Sequence, residues 1–308
     1  MDWTRRQLEA IVTIAERQNI THAAVELSLT QPTVSRMLAR IEDSLDTQLF
    51  VRESNGVVPT EAGTLLISRA NEILRSLDET TDAIRSLDGR LVGKVCVAMP
   101  DTTAHTLLIP LIDHFAEQHP DVEIRVMTSH PSGVPLTLQS GDADVGIVSS
   151  AHRQGDMPQR RLVSEKLHLV GATGTLGGGS IRPVPLEFIA RQRLVLPAIQ
   201  PGLRNVIEAA FGQRQIRPNV VLEVDAEDAL IELISSGRAM SIMSFAGVLR
   251  HVARGALDAR PIDDPPIERI LCTVLPTNRQ PTRLMNVVRD AIHTLAVDLA
   301  PSARWEAL

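Results

Sequence analysis

The first thirty residues carry two short helical patterns separated by turn residues. Apolar residues recur every three or four positions from Leu8 to Ala15, which predicts an amphipathic helix that ends near Asn19. Thr21 follows as the expected N-cap of a second, shorter helix, because a threonine hydroxyl can accept a hydrogen bond from the first free amides. A turn at Ser28 ends this second helix. The pattern therefore predicts two short helices followed by a tight turn.

A third helix is predicted to start after Thr30, its expected N-cap, with Pro32 in the first turn, where a missing N–H costs little. One face is apolar and is expected to be buried; it consists of Val34, Leu38, Ile41 and Leu45. The other face carries groups that can donate to phosphates or read base edges, namely Gln31, Thr33, Ser35, Arg36 and Arg40. An ordinary solvated face would also be polar. Two short helices joined by a tight turn nevertheless favour a DNA-binding helix-turn-helix.

A turn-rich hairpin up to residue 58 is expected to add a wing, and a long helix is predicted from Thr60 to Leu87. This helix carries a heptad series, formed by Leu66, Ile73, Thr80 and Leu87 with Ala70, Leu77 and Ile84 between them. A helix packed on its own domain could show a similar stripe. A helix that links two domains has little else to pack against, so the pattern favours pairing with a second copy. Residues 87–93 break the pattern and predict a hinge.

From residue 94 onward, strand-like and helix-like segments alternate, which predicts an α/β sheet with parallel crossovers. The predicted strands cover residues 94–99, 122–127, 143–148, 167–171, 193–196, 220–224, 240–243 and 270–275. The predicted helices cover residues 107–118, 203–212, 226–235 and 282–299. Gly141 and Gly237 each end a helix before an apolar strand, which indicates two similar lobes. The chain is expected to cross between the lobes at residues 153–161 and 258–268.

Length and composition narrow the class of protein. A chain of 308 residues is too long for one ordinary domain, and its 44% hydrophobic and 22% charged residues are typical of a soluble globular protein. The chain has no apolar run of about 18 residues and no signal-peptide layout, so we expect neither a membrane protein nor export. Cys96 and Cys272 lie in apolar strand-like runs and are interpreted as reduced, which predicts a cytoplasmic protein.

The charge balance argues against indiscriminate binding of polyanions, because the net charge is −6. Lys94 and Lys166 are the only lysines, so nearly all the positive charge is arginine, which is suited to bidentate contacts with phosphate or guanine. Residues 1–58 contain six arginines and eight acids. Binding of DNA must therefore depend on where the charges lie.

Motifs in a fixed order resemble the LysR-type transcriptional regulators over most of the chain. They are Ala23-Ala24-x-x-Leu27-x-x-Thr30-Gln31-Pro32-Thr33-Val34-Ser35-Arg36, Ile41-Glu42-x-x-Leu45, Leu49-Phe50-x-Arg52 and Pro59-Thr60-Glu61-Ala62-Gly63. The C-terminal half is loosely similar to the regulators of nitrogen or sulfur assimilation through Thr102-Thr103, Pro201 and residues 230–244.

The resemblance implies a multi-domain protein. It implies an α-rich winged helix-turn-helix domain at residues 1–59 and a dimerising linker helix with its hinge at 60–89. An α/β effector domain at 90–308 would follow, resembling a two-lobed periplasmic binding protein with the ligand between the lobes. Lobe I would comprise about 90–160 and 267–300, and lobe II about 161–266. We expect a homodimer, and a homotetramer as in many relatives.

The DNA-binding residues implied by this resemblance and by the helix pattern are Thr21, Gln31, Pro32, Thr33, Ser35, Arg36, Arg40, Arg52 and Thr60. Arg52 and Thr60 would hold the DNA backbone beside the wing. Two departures from the family pattern occur. Asp46 replaces the usual glycine at a left-handed helix end, and the wing residues Glu53-Ser54-Asn55-Gly56 lack an arginine for the minor groove.

The effector is expected beyond the carboxyl ends of the strands, where helix N-termini favour anions. The candidate effector-binding residues are Thr102, Thr103, Ser129, His130, Ser149, Gln200 and Gly202. Simple helix capping by Asp101 or Thr102 is an alternative for the first of these. Asp101 and Glu227 would repel an anionic effector, so we expect them to be caps or salt-bridge partners.

The sequence shows no recognisable set of catalytic residues. His105, His114 and His119 lack a metal-binding context, so no metal site is expected. Residues 174–180 match neither the P-loop nor the dinucleotide fingerprint. We therefore predict a regulator that is not an enzyme and needs no cofactor. Its expected partners are double-stranded promoter DNA, a small and anionic effector, and RNA polymerase. The alternatives are a cytoplasmic small-molecule-binding module without DNA binding, and an enzyme acting on a small acid.

Overall fold

A computed structural model describes residues 3–54, 56–128, 133–150, 157–177, 182–198 and 203–308. The chain divides into two compact units, Met1–Gly93 and Lys94–Leu308, called the first and the second unit below. In the described ranges, no helix is both long and apolar enough to cross a membrane.

The first unit is a winged helix-turn-helix followed by a long helix, as the sequence predicts. Its elements are α1 (Arg5–Arg17), α2 (Ile20–Glu26), α3 (Gln31–Leu45), β1 (Phe50–Glu53), β2 (Gly56–Pro59), α4 (Glu61–Arg85) and a short 3₁₀ turn (Ser86–Asp88). The two strands form an antiparallel hairpin. The core of the unit packs α1, α2 and α3 against this hairpin and the start of α4.

The second helix starts earlier than predicted, because Asn19 and not Thr21 is its N-cap. Asn19 is extended, and its Oδ1 accepts hydrogen bonds from the amides of Thr21 and His22 at 2.8 and 3.2 Å. An asparagine oxygen satisfies the free amides of a helix start as well as a threonine does. Thr21 therefore lies inside the first turn, with its side chain exposed.

Most of the predicted stripe of α3 is buried, with Val34 and Ile41 fully enclosed. Leu45 is the exception and is 42% exposed, because it is the last helical residue before the chain turns away at Asp46. Asp46 adopts the predicted left-handed conformation, with φ of 49°. Thr30 is the N-cap by position, yet its hydroxyl pairs with the Thr33 hydroxyl at 2.8 Å and does not cap the helix.

Two glycines allow close backbone contact in the first unit. A Cβ on Gly63 would lie 2.0 Å from the carbonyl oxygen of Leu49, and one on Gly56 would lie 2.2 Å from that of Gln18. Gly63 thus lets the first turn of α4 approach the start of the wing. Gly56 also has a φ of 144°, a conformation that other residues rarely adopt.

The second unit is an α/β domain with a mixed sheet. Its strands are β3 (Gly93–Met99), β4 (Val122–Thr128), β5 (Val145–Ser149), β6 (Gln159–Ala172), β7 (Leu194–Leu196), β8 (Val220–Glu223), β9 (Ser241–Ser244), β10 (Leu257–Pro261), β11 (Glu268–Val274) and β12 (Trp305–Ala307). Its helices are α5 (Asp101–Gln118), α6 (Val134–Ser140), α7 (Leu186–Ala190), α8 (Leu203–Gln213), α9 (Glu227–Ser235), α10 (Phe245–Ala253) and α11 (Arg283–Ala303).

The main sheet has the order β10-β6-β11-β5-β3-β4, with β9 and β12 also paired to β6, and β7 pairs with β8 separately. Parallel pairing joins β3 to β5 and β7 to β8, as predicted. The pairings of β6 and β11 are antiparallel. The sheet is therefore mixed, and the parallel crossovers describe only part of it.

Strand β6 is much longer than the predicted strand at 167–171. Its first half pairs with β11 and its second half with β9 and β10. The predicted crossing at 153–161 thus includes the start of this strand, and the predicted crossing at 258–268 includes most of β10. Both stretches are polar or charged, so they lack the apolar alternation typical of a strand. One apolar core contains Cys96 and Cys272, and two others lie along the second half of β6.

We expect Gly63→Ala to destabilise the first unit by about 1–3 kcal/mol, because its Cβ would overlap a backbone carbonyl that cannot move aside. Gly212→Ala is the matched control, since Gly212 is helical and nothing lies within 4 Å of its Cβ position. The control should be neutral or slightly stabilising. Denaturant unfolding with a probe for each unit measures both; equal midpoints for the two variants would contradict this packing.

Candidate DNA-binding helix and ligand cavity

The outer face of α3 presents the polar residues that the sequence singled out. Gln31, Pro32, Arg36 and Arg40 are exposed, and Thr33 and Ser35 are half-buried. Successive turns place Pro32, Arg36 and Arg40 in one row, since residues four apart lie on the same face. The Nε of Arg36 donates to the carbonyl oxygen of Pro32 at 3.2 Å. A helix of this kind fits the major groove of DNA, where arginine can pair with guanine.

Glu42 holds the end of α3 to the start of the wing. Its Oε1 accepts hydrogen bonds from the backbone amides of Leu49 and Phe50 at 2.7 and 3.2 Å. This role was missed from the sequence, where Glu42 stood only as part of a family motif. That the half-buried Glu42 accepts from two free amides is visible only once the chain has turned back after α3.

The wing residues have different roles. Arg52 is exposed on β1, where it can reach a phosphate. Thr60 is the N-cap of α4: its hydroxyl accepts from the Gly63 amide at 3.0 Å and donates to the Gln48 carbonyl at 2.8 Å. The amide of Thr60 is also bonded to the Leu49 carbonyl, so Thr60 caps α4. Its expected contact with the DNA backbone stays a prediction. Asn55, one of the wing residues named from the sequence, lies outside the described residues.

A cavity of ≈ 230 Å³ lies in the second unit beyond the carboxyl ends of four strands. Pro100 follows β3, Pro197 follows β7, Val224 follows β8 and Ser244 ends β9, and all four line it. This is where ligands bind in open α/β sheets. The charged residues of the lining are Asp101, Arg204, Asp225, Glu227 and Arg269.

The predicted effector-binding residues are distributed unevenly around this cavity. Thr102 lines it, whereas Thr103 and Ser149 are buried elsewhere, each 1% exposed and with a hydroxyl that has no hydrogen-bond partner among the described residues. Thr103 lies on the buried face of α5 together with Leu107, one turn further on. Ser149 ends β5, in which every residue is buried. The other candidates, Ser129, His130, Gln200 and Gly202, lie outside the described residues.

Asp101 and Glu227 line the cavity, and the expectation of a salt-bridge partner is met for Glu227 by His105. Each is the first residue of its helix, α5 or α9. The Oε1 of Glu227 is buried, has no hydrogen-bond partner among the described residues and lies 3.9 Å from the Nδ1 of His105. Burial, with further contributions from Asp101 and Asp228, raises the pKa of Glu227 to about 7.

The two arginines of the lining are already paired. Arg204 is 5% exposed and donates to Glu208 at 2.7 Å, to the Pro197 carbonyl at 2.9 Å and to Glu223 at 3.2 Å. Arg269 forms a buried ion pair with Glu165, whose other oxygen accepts from the Trp305 indole at 3.1 Å. Sequence analysis missed the pair of Arg269 and Glu165, because the two residues are far apart in the chain.

A winged helix-turn-helix with an exposed polar recognition helix, followed by an α/β domain with a ligand-sized cavity, defines a DNA-binding regulator that responds to a small molecule. Comparison with known proteins agrees. Residues 5–64 match the bacterial regulatory helix-turn-helix family of the lysR type, and residues 88–296 match the LysR substrate-binding domain. The chain belongs to the LysR family of transcriptional regulators.

The expected likeness to nitrogen regulators is confirmed as a similarity. The nitrogen assimilation regulatory protein Nac of Klebsiella aerogenes is 28% identical over 239 residues, 77% of either chain. The regulator BbuR of Bordetella bronchiseptica is 28% identical over 294 residues, covering 95% of this chain and 90% of its own. Among solved structures, CbnR complexed with its target DNA has a TM-score of 0.72 at 21% identity, covering 96% of this chain and all of that one. A full-length OxyR variant from Pseudomonas aeruginosa has a TM-score of 0.73 at 20% identity, covering 95% of each chain. The two structures share the fold of this chain.

Glu227→Gln should remove one pH-dependent contribution to stability. As pH rises above 4.5, the unfolded chain loses the Glu227 proton while the folded protein keeps it until about pH 7, so the wild-type free energy of unfolding falls over this interval. The glutamine variant lacks this fall and should gain roughly 3 kcal/mol relative to wild type between pH 4.5 and 8. Glu232→Gln, at an exposed position of the same helix, is the control. Denaturant unfolding at several pH values tests this; parallel profiles for wild type and Glu227→Gln would contradict it.

Proposed function

We propose that this protein controls transcription by placing α3 in the major groove of promoter DNA, with the cavity of the second unit binding the effector that modulates this contact. The observation that carries the proposal is the division of α3 into a buried apolar stripe and an exposed face with Gln31, Arg36 and Arg40. The family match over both units supports it. Thr21 and Arg52, both exposed, are proposed as further DNA contacts.

The protein is proposed to act by binding and not by turnover, in the cytoplasm, where its DNA partner lies. Its family consists of transcriptional regulators, and a regulator needs only that its effector favours one state over another. RNA polymerase is a further proposed partner. A DNA site with two-fold symmetry is contacted by two DNA-reading helices, so a second copy of α3 is required.

The second DNA-reading helix is proposed to come from a homodimer formed by α4. Ile73, Leu77 and Ile84 occupy the predicted heptad seam, and they are 46%, 45% and 63% exposed in the single chain. Leu66 and Ala70, earlier in the seam, are covered within the first unit instead. Exposed apolar side chains in heptad register are the usual mark of a helix that pairs with another. Pairs of dimers are proposed to form tetramers.

Arg36→Ala should weaken binding to the promoter by about 1–3 kcal/mol if Arg36 reads a guanine, and should relax preference at that base pair only. Arg69→Ala is the control, because it removes the same charge from an exposed, surface-paired arginine on α4. Fluorescence anisotropy at fixed salt with wild-type and mutated promoter duplexes measures both. Uniform weakening on all sequences would make Arg36 a phosphate contact. Unchanged affinity would contradict the role of α3, and a chain without any DNA affinity would be a ligand-binding module alone.

The double substitution Ile73→Glu with Leu77→Glu should dissociate the dimer, because four like charges would meet across the seam. Thr64→Glu with Ser68→Glu adds the same charge at exposed positions of α4 on the face opposite the seam and should leave the dimer intact. Sedimentation equilibrium of the two variants and of wild type distinguishes them. A wild-type chain that remains monomeric at micromolar concentration would contradict dimerisation, and an unaffected seam variant would place the interface elsewhere.

A further inference from the structure

Three carboxylates in the lining of the cavity have no salt bridge to arginine or lysine among the described residues. They are Asp101 at the start of α5, and Asp225 and Glu227 at the start of α9. Asp225 accepts one hydrogen bond, from the Ala198 amide at 2.9 Å. The Oε1 of Glu227 lies 3.9 Å from the Nδ1 of His105. The lining thus presents two or three negative charges to whatever enters it.

The two arginines offset these carboxylates only in part: Arg269 lowers the pKa of Glu227, but by less than burial and the neighbouring acids raise it. Arg204 is bonded to Glu208 and Glu223, and Arg269 to the buried Glu165. An anion that drew Arg269 away would leave the Glu165 carboxylate buried without its counter-charge, which is a costly arrangement. Each guanidinium is therefore committed to the protein and is a poor receptor for an incoming anion.

The dipoles of the two helices do not make the cavity favourable to an anion either. The N-termini of α5 and α9 each contribute roughly half a positive charge, which would favour an anion. Their first helical residues, Asp101 and Glu227, carry acids that outweigh that partial charge. The usual argument for an anion at a helix N-terminus thus fails at this cavity.

The rest of the lining is mostly apolar, with Leu203, Leu230, Ile242 and Met243 beside the hydroxyl groups of Thr102 and Ser244. A bare metal ion would need carboxylates gathered around one point. Across the described residues, no three acids, histidines or cysteines are grouped closely enough to hold one. Dispersed acids beside an apolar wall suit a larger, less hydrated cation.

We propose that the cavity binds a small organic cation, a protonated amine or a guanidinium with an apolar chain, held by Asp101, Asp225 and Glu227. The inference rests on the proposed function, since it names the chemical class of the effector for the same cavity. It replaces the anionic effector expected from the sequence. A cation also favours the charged form of Glu227, so its affinity should increase as pH rises through the pKa of about 7 while the amine remains protonated. The charged and titratable groups that face Glu227 are Asp101, Asp228, His105 and Arg269.

Four probes with the same apolar chain and different head groups test this: n-butylamine, n-butylguanidine, n-butyrate and n-butanol. Each is added at millimolar concentration and matched ionic strength to the full-length protein, and affinity is obtained from the rise in melting temperature and from calorimetry. The amine and the guanidine should bind, and butyrate should bind at least roughly tenfold more weakly. Asp101→Asn with Glu227→Gln should reduce amine affinity roughly tenfold or more. Asp113→Asn with Glu232→Gln, exposed on the same two helices, should leave it unchanged.

Two results would overturn the proposal: tighter binding of butyrate than of butylamine, or amine binding that is absent or equal in the cavity and control variants. Promoter binding of the same preparations is measured alongside by anisotropy. A protein that binds DNA but prefers butyrate refutes the cationic effector and leaves the regulatory function standing. A protein that binds amines in the cavity but no DNA refutes the function and leaves the ligand class standing.

Discussion

Burial of one side of α3 is the constraint on which the rest of the first unit depends. Val34, Leu38 and Ile41 can leave water only by packing against α1, α2 and the hairpin, and this packing fixes the rotation of the helix about its axis. With the helix held in this rotation, Gln31, Arg36 and Arg40 face outward. The polar face is therefore not a separate feature of the sequence; it is what remains after the core has formed. Glu42 holds the start of the wing beside this helix through the Leu49 amide, and Gly63 lets α4 approach the same segment.

A second constraint shapes the ligand cavity. Strand β6 continues from the core that contains Cys272 into the cores built around Leu169 and Val170. The buried pair of Glu165 and Arg269 lies near its midpoint, and Trp305 of the short C-terminal strand completes it. Because Arg269 is bonded to Glu165 in this pair, the carboxylates at the starts of α5 and α9 make the lining of the cavity acidic. The cavity's chemistry is thus decided by side chains that are far apart in the sequence.

The first unit could be predicted from patterns of neighbouring residues, whereas much of the cavity depends on residues far apart in the sequence. The period of apolar residues identified α3 and the heptads of α4, and the αL position of Asp46 followed from a family glycine. Asn19 and Thr21 could both act as the N-cap of α2, and the sequence pattern alone does not show which of them does. The hydrogen bonds that make Thr60 a helix cap were not visible in the sequence, because its partner Gln48 lies twelve residues away. The polar first half of β6 carried no strand signal, since its stability comes from β11. The burial of Thr103 also depends on packing that its position beside Thr102 does not reveal.

The central claim is that α3 enters a DNA groove and is presented twice by paired α4 helices. A footprint of the full-length protein on the DNA upstream of its own gene, at controlled salt, tests it most directly. We expect two protected half-sites whose centres lie about one helical turn, or a multiple of it, apart. The Ile73→Glu, Leu77→Glu variant of α4 should protect neither half-site. A single protected half-site, or the same two half-sites protected by a monomeric seam variant, would contradict it.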